Sequence, residues 1–334
     1  MLHQFAKFVA GCTVLLLLAG SLVTSTDSGL SVPDWPTTYG WNMFTFPPSK
    51  WVGGIFYEHS HRLIASSVGF LTIVQAAWLW TKDQRRWMKR LGLAALGAVI
   101  AQGVLGGLTV LFFLPAAVST AHAGLAEIFF CLVVAIALFT SPGWINRYGL
   151  SPSDVRRLDD SSLRRLATAT TGLIFVQILL GATMRHTGAG LAIPDFPLMF
   201  GRWLPPRWDP AIVIHFSHRV GAVIVTSAVL LTWFRIRSYH WERQEYRVAA
   251  TILVSLVFSQ VALGALTVLR ARNVWINSFH VVCGALVLAT SLVVALRSWR
   301  CIFGDATPIT SNVASTADPI ARGVPFQPTR GASA

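Results

Sequence analysis

Four histidines occupy corresponding places along the chain, and imidazole side chains are common ligands of haem iron. His61 and His218 lie 157 residues apart, and His122 and His280 lie 158 residues apart. Each stands a few residues into a long apolar stretch, and no cluster of further histidines, cysteines or carboxylates accompanies it to complete a tetrahedral zinc site. The pattern predicts two bis-histidine haem sites, one formed by His61 and His122 and the other by His218 and His280.

An arginine directly follows the first histidine of each pair. Arg62 and Arg219 could hold haem propionates through charge-assisted hydrogen bonds, because a guanidinium matches the shape of a carboxylate. An arginine at a helix end can also reach the lipid headgroups without any ligand. The recurrence of both arginines beside their histidines favours the propionate contact.

Only the first histidine pair has a carboxylate beside it. Glu58 stands three residues before His61, so both side chains share one helix face, whereas His215 occupies the corresponding place in the second half. One carboxylate for two haem-sized sites favours chemistry at the first site and electron transfer at the second. The alternative is that Glu58 is an ordinary carboxylate exposed just outside the membrane.

The elements that position these residues are predicted to be transmembrane helices. The chain has 54% hydrophobic and only 12% charged residues, which is typical of an integral membrane protein. A helix crosses the hydrocarbon core with about 20 apolar residues. Eight spans are predicted, at residues 8–25, 60–80, 91–113, 117–139, 164–184, 211–234, 248–268 and 276–296. The four histidines lie near the starts of the second, fourth, sixth and eighth spans, at one end of the bundle.

The distribution of lysine and arginine predicts the orientation, because basic residues are retained in cytoplasmic loops. Before the C-terminal tail, seventeen lie on one side of the spans and eight on the other. We therefore expect both termini in the cytoplasm and the histidines near the external face. Topology also explains the net charge of +13. Lipid headgroups are the expected acidic neighbours, since no basic face with interleaved aromatic residues indicates nucleic-acid binding.

An internal repeat divides the chain into two similar halves. GLSVPDWP at 29–36 recurs as GLAIPDFP at 190–197, and QGVLGGLTV at 102–110 recurs as QVALGALTV at 260–268. Each unit has an even number of spans, so both halves have the same orientation. The predicted fold is an all-α membrane protein of two four-helix bundles related by a pseudo-two-fold axis. The first span is the counterpart of the fifth, so we expect it to be retained rather than cleaved as a signal peptide.

The remaining segments are predicted from composition. The organisation is an N-terminal half at 1–140, a cytoplasmic linker at 141–163, a C-terminal half at 164–298 and a disordered cytoplasmic tail at 299–334. The external segments 26–58 and 187–210 either form an interfacial aromatic belt or cover a ligand as lids. The cysteines lie in spans or at the cytoplasmic end, at Cys12, Cys131, Cys283 and Cys301. No external disulfide is therefore expected.

Together these features resemble the heme A synthase family, membrane enzymes that convert heme O to heme A for terminal oxidases. The resemblance covers about residues 10–298, including the duplicated four-helix units, both external segments and the motifs EHSHR, AHAGLAEIFF, HFSHR and NSFHVVCGALV. It implies that His61 and His122 belong to the site of the haem being oxidised, with Glu58 as the essential carboxylate. It also implies that His218 and His280 hold a haem b cofactor. The cysteine pair that some members carry in the first external loop is absent here.

The resemblance implies oxidation of a ring methyl of heme O to a formyl group through hydroxylated intermediates. Glu58 would stabilise a developing cation or act as a base. The implied partners are heme O synthase and the assembling cytochrome oxidase in a bacterial inner membrane, and homo-oligomer formation is left open. Two other classes are considered. A non-enzymatic bis-histidine membrane cytochrome b, carrying electrons to a quinone or oxidase, leaves Glu58 unexplained. A transporter would have broken helices or polar sites at the membrane midplane.

Overall fold

The computed structural model describes residues 1–145, 160–271 and 273–303, with the backbone alone for 301–303. This part of the chain is helical, with two isolated β-bridges in place of any strand. Its eight long helices are α1 (Leu2–Ser25), α2 (Gly54–Lys82), α3 (Arg86–Leu111), α4 (Ala116–Phe139), α5 (Ser161–His186), α6 (Pro210–Tyr239), α7 (Gln244–Leu269) and α8 (Val274–Phe303). All eight are long and apolar enough to cross a membrane, which confirms the eight predicted spans.

The helices pack as two closed rings. In the first ring, each of α1 to α4 packs on the next and α4 returns to α1; α5 to α8 repeat the same order. The rings meet through α1, α4, α5 and α8. The apolar core of the first ring extends across this contact, because it includes Ala285 and Ala289 of α8. The outer faces carry exposed side chains such as Phe70, Val223 and Phe258, as expected where lipid is the solvent and helices satisfy their own backbone groups.

The two segments predicted to be external, 26–58 and 187–210, contain similar turns and are called the external segments below. Each contains a short turn closed by one antiparallel bridge, Thr38 with Trp41 and Met199 with Arg202. An aspartate begins each turn and accepts backbone N–H groups: Asp34 from Tyr39 and Gly40, and Asp195 from Phe200 and Gly201. The glycines have positive φ angles, 76° at Gly40 and 73° at Gly201, where a side chain would add strain. The repeated sequences GLSVPDWP and GLAIPDFP therefore begin segments that form the same turn in both halves.

The connecting segments differ in part from the predicted domain boundaries. Most of the predicted linker 141–163 and of the predicted tail 299–334 lies outside the described residues. Pro142–Ile145 forms a short helical turn, and α8 continues to Phe303, so residues 299–303 are helical instead of belonging to the tail. Contacts at its end support this extension, since Arg300 donates to the carbonyl oxygen of Gly143 at 2.9 Å.

Candidate functional site

The four predicted haem-ligating histidines lie as two pairs, one in each helix ring. His61 lies on α2 and His122 on α4, two helices of the first ring, and His218 on α6 and His280 on α8 have the corresponding places in the second ring. Each histidine lies in the first half of its helix, at the end that carries the external segments. The structure therefore places both members of each predicted pair in the same ring.

Each of these histidines lies against a glycine of the preceding long helix. A Cβ atom added to the glycine would lie a few tenths of an ångström too close to the imidazole Cε1: the distances are 3.0 Å for Gly20 to His61, 3.0 Å for Gly106 to His122, 2.9 Å for Gly181 to His218 and 3.0 Å for Gly264 to His280. Small residues allow such close approach between membrane helices. A glycine is therefore part of the construction of every one of the four positions.

Three glutamines approach these histidines, and sequence reasoning missed them. Gln102 Nε2 lies 3.4 Å from His122 Nε2 and donates to the His122 carbonyl oxygen at 3.0 Å. Gln260 Nε2 lies 3.4 Å from His280 Nε2. The third, Gln177, lies with Nε2 3.0 Å from the Nδ1 of His218 and donates to the carbonyl oxygen of the same residue at 2.7 Å. No glutamine contact of this kind is seen for His61 in the described part of the chain.

The polar atoms left over at these positions fit a haem with two axial imidazoles. The Nδ1 atoms of His61, His122 and His280 are buried without a hydrogen-bond partner among the described residues. Within the same residues, no group of three or more histidine, cysteine or acidic side chains is arranged to hold a metal ion. Two imidazoles per ring, with spare nitrogen atoms, match the axial positions of a haem better than a structural zinc site.

Glu58 is buried and fastened to the first external segment. Its Oε2 accepts the backbone N–H of Val32 at 2.8 Å, and its Oε1 accepts Arg62 Nη2 at 2.7 Å. The Arg62 guanidinium also donates to the carbonyl oxygens of Val32, Asp34 and Thr37 at 3.0, 2.7 and 2.9 Å. The alternative of an exposed carboxylate is therefore wrong, since Glu58 is only 3% exposed. The pair instead ties residues 32–37 to the first turns of α2.

The second ring has the same connection without the carboxylate. Ile193, which lies 161 residues after Val32, donates its backbone N–H to His215 Nδ1 at 3.3 Å. Arg219 donates to the carbonyl oxygens of Leu198, Asp195 and Ile193 at 2.9, 2.7 and 3.3 Å. Glu58 and His215 therefore perform the same anchoring task, and a carboxylate in place of an imidazole distinguishes the anchor of the first ring.

Five other residues lie apart from the histidine pairs. His59 is fully buried, contacts Thr38 Oγ1 at 3.1 Å and packs against the rings of Phe46 and Trp51. Glu127 on α4 is 4% exposed, and its Oε2 has no partner among the described residues. The cysteines whose side chains are described, at Cys12, Cys131 and Cys283, are free thiols. None of these residues joins the candidate haem sites.

The signal for the missed residues was present in the repeat. The stretches QGVLGGLTV and QVALGALTV begin with Gln102 and Gln260 and carry Gly106 and Gly264 at their fifth positions. A glutamine four residues before a glycine recurs in α5, at Gln177 and Gly181. The spacing alone did not assign a role, because only helix packing shows that both residues face the same histidine.

Comparisons with known proteins identify the relatives of this chain. Residues 3–292 match the family model COX15-CtaA, described as cytochrome oxidase assembly protein. A heme A synthase of Halalkalibacterium halodurans is 27% identical over 86% of this chain and 95% of its own length. One from Symbiobacterium thermophilum is 30% identical over 82% and 89%, and one from Rhizobium etli is 29% identical over 91% and 90%.

Proposed function

Because the chain belongs to the COX15-CtaA family of cytochrome oxidase assembly proteins, we propose that it acts as a heme A synthase that oxidises heme O in its N-terminal half. It is a multi-pass protein of a bacterial membrane, with eight apolar helices in the described residues. The substrate class follows the names of the relatives, whose sequences align along most of this chain.

The two helix rings take different haems. His61 and His122 hold the substrate heme O, while His218 and His280 hold haem b as a cofactor. Haem b supplies reversible one-electron redox chemistry when bound. The duplicated packing of each imidazole on a glycine supports two sites of the same shape.

Glu58 is the catalytic carboxylate of the first site. Conversion of a ring methyl to a formyl group replaces two hydrogen atoms by one oxygen atom and removes four electrons, which an external electron acceptor takes up. Positive charge develops at the methyl carbon as the electrons leave. A carboxylate held in a buried setting stabilises such charge or accepts a proton from the hydroxylated carbon. Arg62 fixes the carboxylate at 2.7 Å and retains its Nε–H as a donor for a propionate. Arg219 has the corresponding place beside haem b.

The observation that carries the proposal is the charge difference between the two residues that anchor the external segments, Glu58 and His215. Val32 and Ile193 donate equivalent backbone N–H groups to Glu58 and His215 respectively. Anchoring of the external segment therefore does not require a carboxylate, because an imidazole performs it in the second ring. The negative charge of Glu58 is therefore not needed for anchoring and is available for catalysis.

The test uses two substitutions of Glu58 in cells that lack their own heme A synthase. Glu58→Gln removes the charge at nearly constant shape, and Glu58→His installs the anchor found in the second ring. We expect both variants to keep the haem b spectrum while heme A formation falls by about a hundredfold or more, because loss of one transition-state charge contact costs about 3 kcal/mol. Heme O or a hydroxylated haem should accumulate on the purified protein.

Normal heme A levels in both variants would remove Glu58 from the mechanism. If the wild-type chain itself yields only haem b on extraction, with no heme O or heme A, the chain is a membrane cytochrome b instead. His215→Ala serves as the matched control, since it removes an anchor without removing a charge.

The arrangement of the whole chain in the membrane follows the same proposal. The two rings are related by a pseudo-two-fold axis along the membrane normal, which is supported by the matching order of helix contacts and by the α1–α8 and α4–α5 contacts between rings. Both ends of the helical region face the cytoplasm. Heme O synthase and the oxidase under assembly are the partners that supply heme O and receive heme A.

A further inference from the structure

Three of the four ligand histidines have an amide beside them, and His61 is the exception. The three glutamines each stand four residues before the glycine that packs on the same histidine: Gln102 before Gly106, Gln177 before Gly181 and Gln260 before Gly264. In α1, the residue four positions before Gly20 is Leu16. The chain thus repeats the same motif in four helices but replaces the amide with an alkyl group at one of them.

A second replacement of this kind lies on the next helix, α2 in the first ring and α6 in the second. In the second ring, Gly221 makes room for Gln177, because a Cβ at Gly221 would collide with the amide oxygen of Gln177. The residue 157 positions earlier is Ile64. Leu16 and Ile64 both pack against the apolar core of the first ring. An amide and a glycine beside His218 therefore correspond to two alkyl side chains beside His61.

An amide has a definite task beside an axial imidazole. When one ring nitrogen ligates iron, the other carries a hydrogen that needs an acceptor, and this acceptor fixes the ring orientation and raises the ligand's basicity. The Oε1 atoms of Gln102, Gln177 and Gln260 are buried without a partner among the described residues. The Nδ1 atoms of His122 and His280 are also buried without a hydrogen-bond partner among the described residues. Pairing Oε1 with Nδ1 requires the amide to turn by half a turn, and at His122 and His280 the ring must turn as well, since the contact there joins two Nε2 atoms. The amides of Gln102 and Gln177 then exchange their hydrogen bonds to the histidine carbonyl oxygens for hydrogen bonds to the rings.

Resting on the proposed function, we infer that Gln102, Gln177 and Gln260 are positioning residues that hold the imidazoles of His122, His218 and His280, and that Leu16 leaves His61 as the exchangeable ligand of the substrate haem. Haem b is then held by two fixed imidazoles. Heme O and heme A are held by one fixed imidazole, His122, and by one that can release them. This difference suits a site whose occupant must be replaced at each turnover beside a site whose occupant must stay.

The experiment exchanges the two environments in the full-length protein. Gln177→Leu removes the amide beside His218, and Leu16→Gln with Ile64→Gly builds one beside His61. Haem loss is followed spectroscopically after transfer of purified protein into excess haem-free myoglobin, and the haem b midpoint potential is measured by redox titration.

We expect Gln177→Leu to lose haem b at least tenfold faster than wild type and to raise its midpoint potential, because a less basic ligand stabilises ferric iron less. Gln177→Glu, which keeps acceptor oxygens, should restore retention. The Leu16→Gln and Ile64→Gly double variant should release heme O and heme A at least tenfold more slowly, while Ile64→Gly alone should not. The control is Gln75→Leu, because Gln75 is also buried with both amide atoms unpartnered in the described structure but does not contact a ligand histidine.

Unchanged haem b retention and potential in Gln177→Leu, or unchanged release from the double variant, would overturn the inference. Failure of the proposed function looks different. In that case wild-type protein makes no heme A, whereas the effect of Gln177→Leu on haem b is still measurable because it does not depend on turnover.

Discussion

Glu58 shows why a single residue must be considered together with its counterpart. Alone, its contacts with Val32 and Arg62 describe a structural carboxylate that fastens a loop. Beside His215, which anchors Ile193 in the same way, the anchoring task is shown to be independent of charge. The residue therefore combines an anchoring role common to both rings with a charge found only in the first.

Removal of either second-ring ligand should abolish stable haem b binding. His218→Ala and His280→Ala each leave iron with one imidazole and open a space against Gly181 or Gly264, so the low-spin spectrum of bound haem b should disappear from purified protein. Visible absorption and extracted haem content measure this outcome.

His215→Ala is the control for these two substitutions. It lies three residues from His218 but contacts the external segment through Ile193, so haem b should be retained. A normal low-spin spectrum in both His218→Ala and His280→Ala would contradict the pairing.

At the residue scale, the sequence predicted the histidines but not their surroundings. The offsets of 157 and 158 residues relate His61 to His218 and His122 to His280, and the assignment of one histidine pair to each haem stays a prediction. The contacts of Arg62 could not be predicted, because its acceptors are backbone carbonyl oxygens of residues 32–37. Those positions depend on how the external segment folds, and no side-chain pattern records them.

At the element scale, α5 and α6 are joined by one acidic residue at the end of the bundle opposite the histidines. Asp160 caps the first turn of α5 by accepting the Leu163 N–H at 2.9 Å. It also accepts Arg235 Nε at 2.9 Å and contacts His240 Nε2 at 2.9 Å, both near the C-terminal end of α6. Burial alone would raise the pKa of Asp160, but hydrogen bonds from Arg235, His240 and Leu163 hold it well below its ordinary value.

Asp160→Asn should therefore destabilise the second ring. Loss of a charged cap and an ion pair costs about 1–2 kcal/mol, which should lower the thermal midpoint of the detergent-solubilised protein by a few degrees. A carboxyl group whose pKa is lowered on folding stabilises the fold fully above its ordinary pKa of 3.8, and the stabilisation is lost as pH falls through the lower folded value.

The pH dependence separates this effect from a general loss of packing. The difference in midpoint between wild type and Asp160→Asn should stay constant from about pH 8 down to about pH 5 and shrink only below the ordinary carboxyl range. A difference that disappears already at neutral pH would show that Asp160 is not the group responsible.

The helices themselves were the easiest elements to predict, because about 20 apolar residues in succession have few alternatives to a membrane span. Their ends were predicted less well. The first span was predicted from residue 8, yet α1 begins at Leu2, and α8 continues past the predicted 296 to Phe303. Polar residues at helix ends remain helical where they find partners, as Trp299 does by donating to Thr168 at 2.9 Å. Hydropathy reports the width of the apolar layer and not the length of the helix.

At the scale of the whole molecule, the two rings are joined by polar contacts at the histidine end. Arg185 of α5 donates to Ser25 Oγ and to the Ser21 carbonyl oxygen of α1, both at 2.7 Å. Asn277 of α8 donates to the same Ser25 hydroxyl at 3.1 Å, and Ser278 lies 3.0 Å from it. These contacts join three of the four helices at the ring interface. The relative position of the two histidine pairs is therefore fixed by hydrogen bonds as well as by apolar packing.

The orientation of the molecule is the prediction that places both haem sites in the membrane. Seventeen lysines and arginines lie beside the ends opposite the histidines and eight beside the histidine ends, and basic residues are retained in the cytoplasm. A reporter that fluoresces only in the cytoplasm should therefore be active when inserted at Asp83, in the α2–α3 turn. Alkaline phosphatase, which is active only outside, should be active when inserted after Gly201 in the second external segment.

The strongest test of the orientation neutralises four basic residues, Arg85, Arg86, Lys89 and Arg90, since these supply much of the charge next to α3. This variant should show mixed orientation, whereas neutralising Arg202 and Arg207 should not. Phosphatase activity at Asp83 together with cytoplasmic fluorescence at Gly201 would reverse the orientation and place Glu58 and both histidine pairs on the cytoplasmic side, where heme O would reach them from the opposite face.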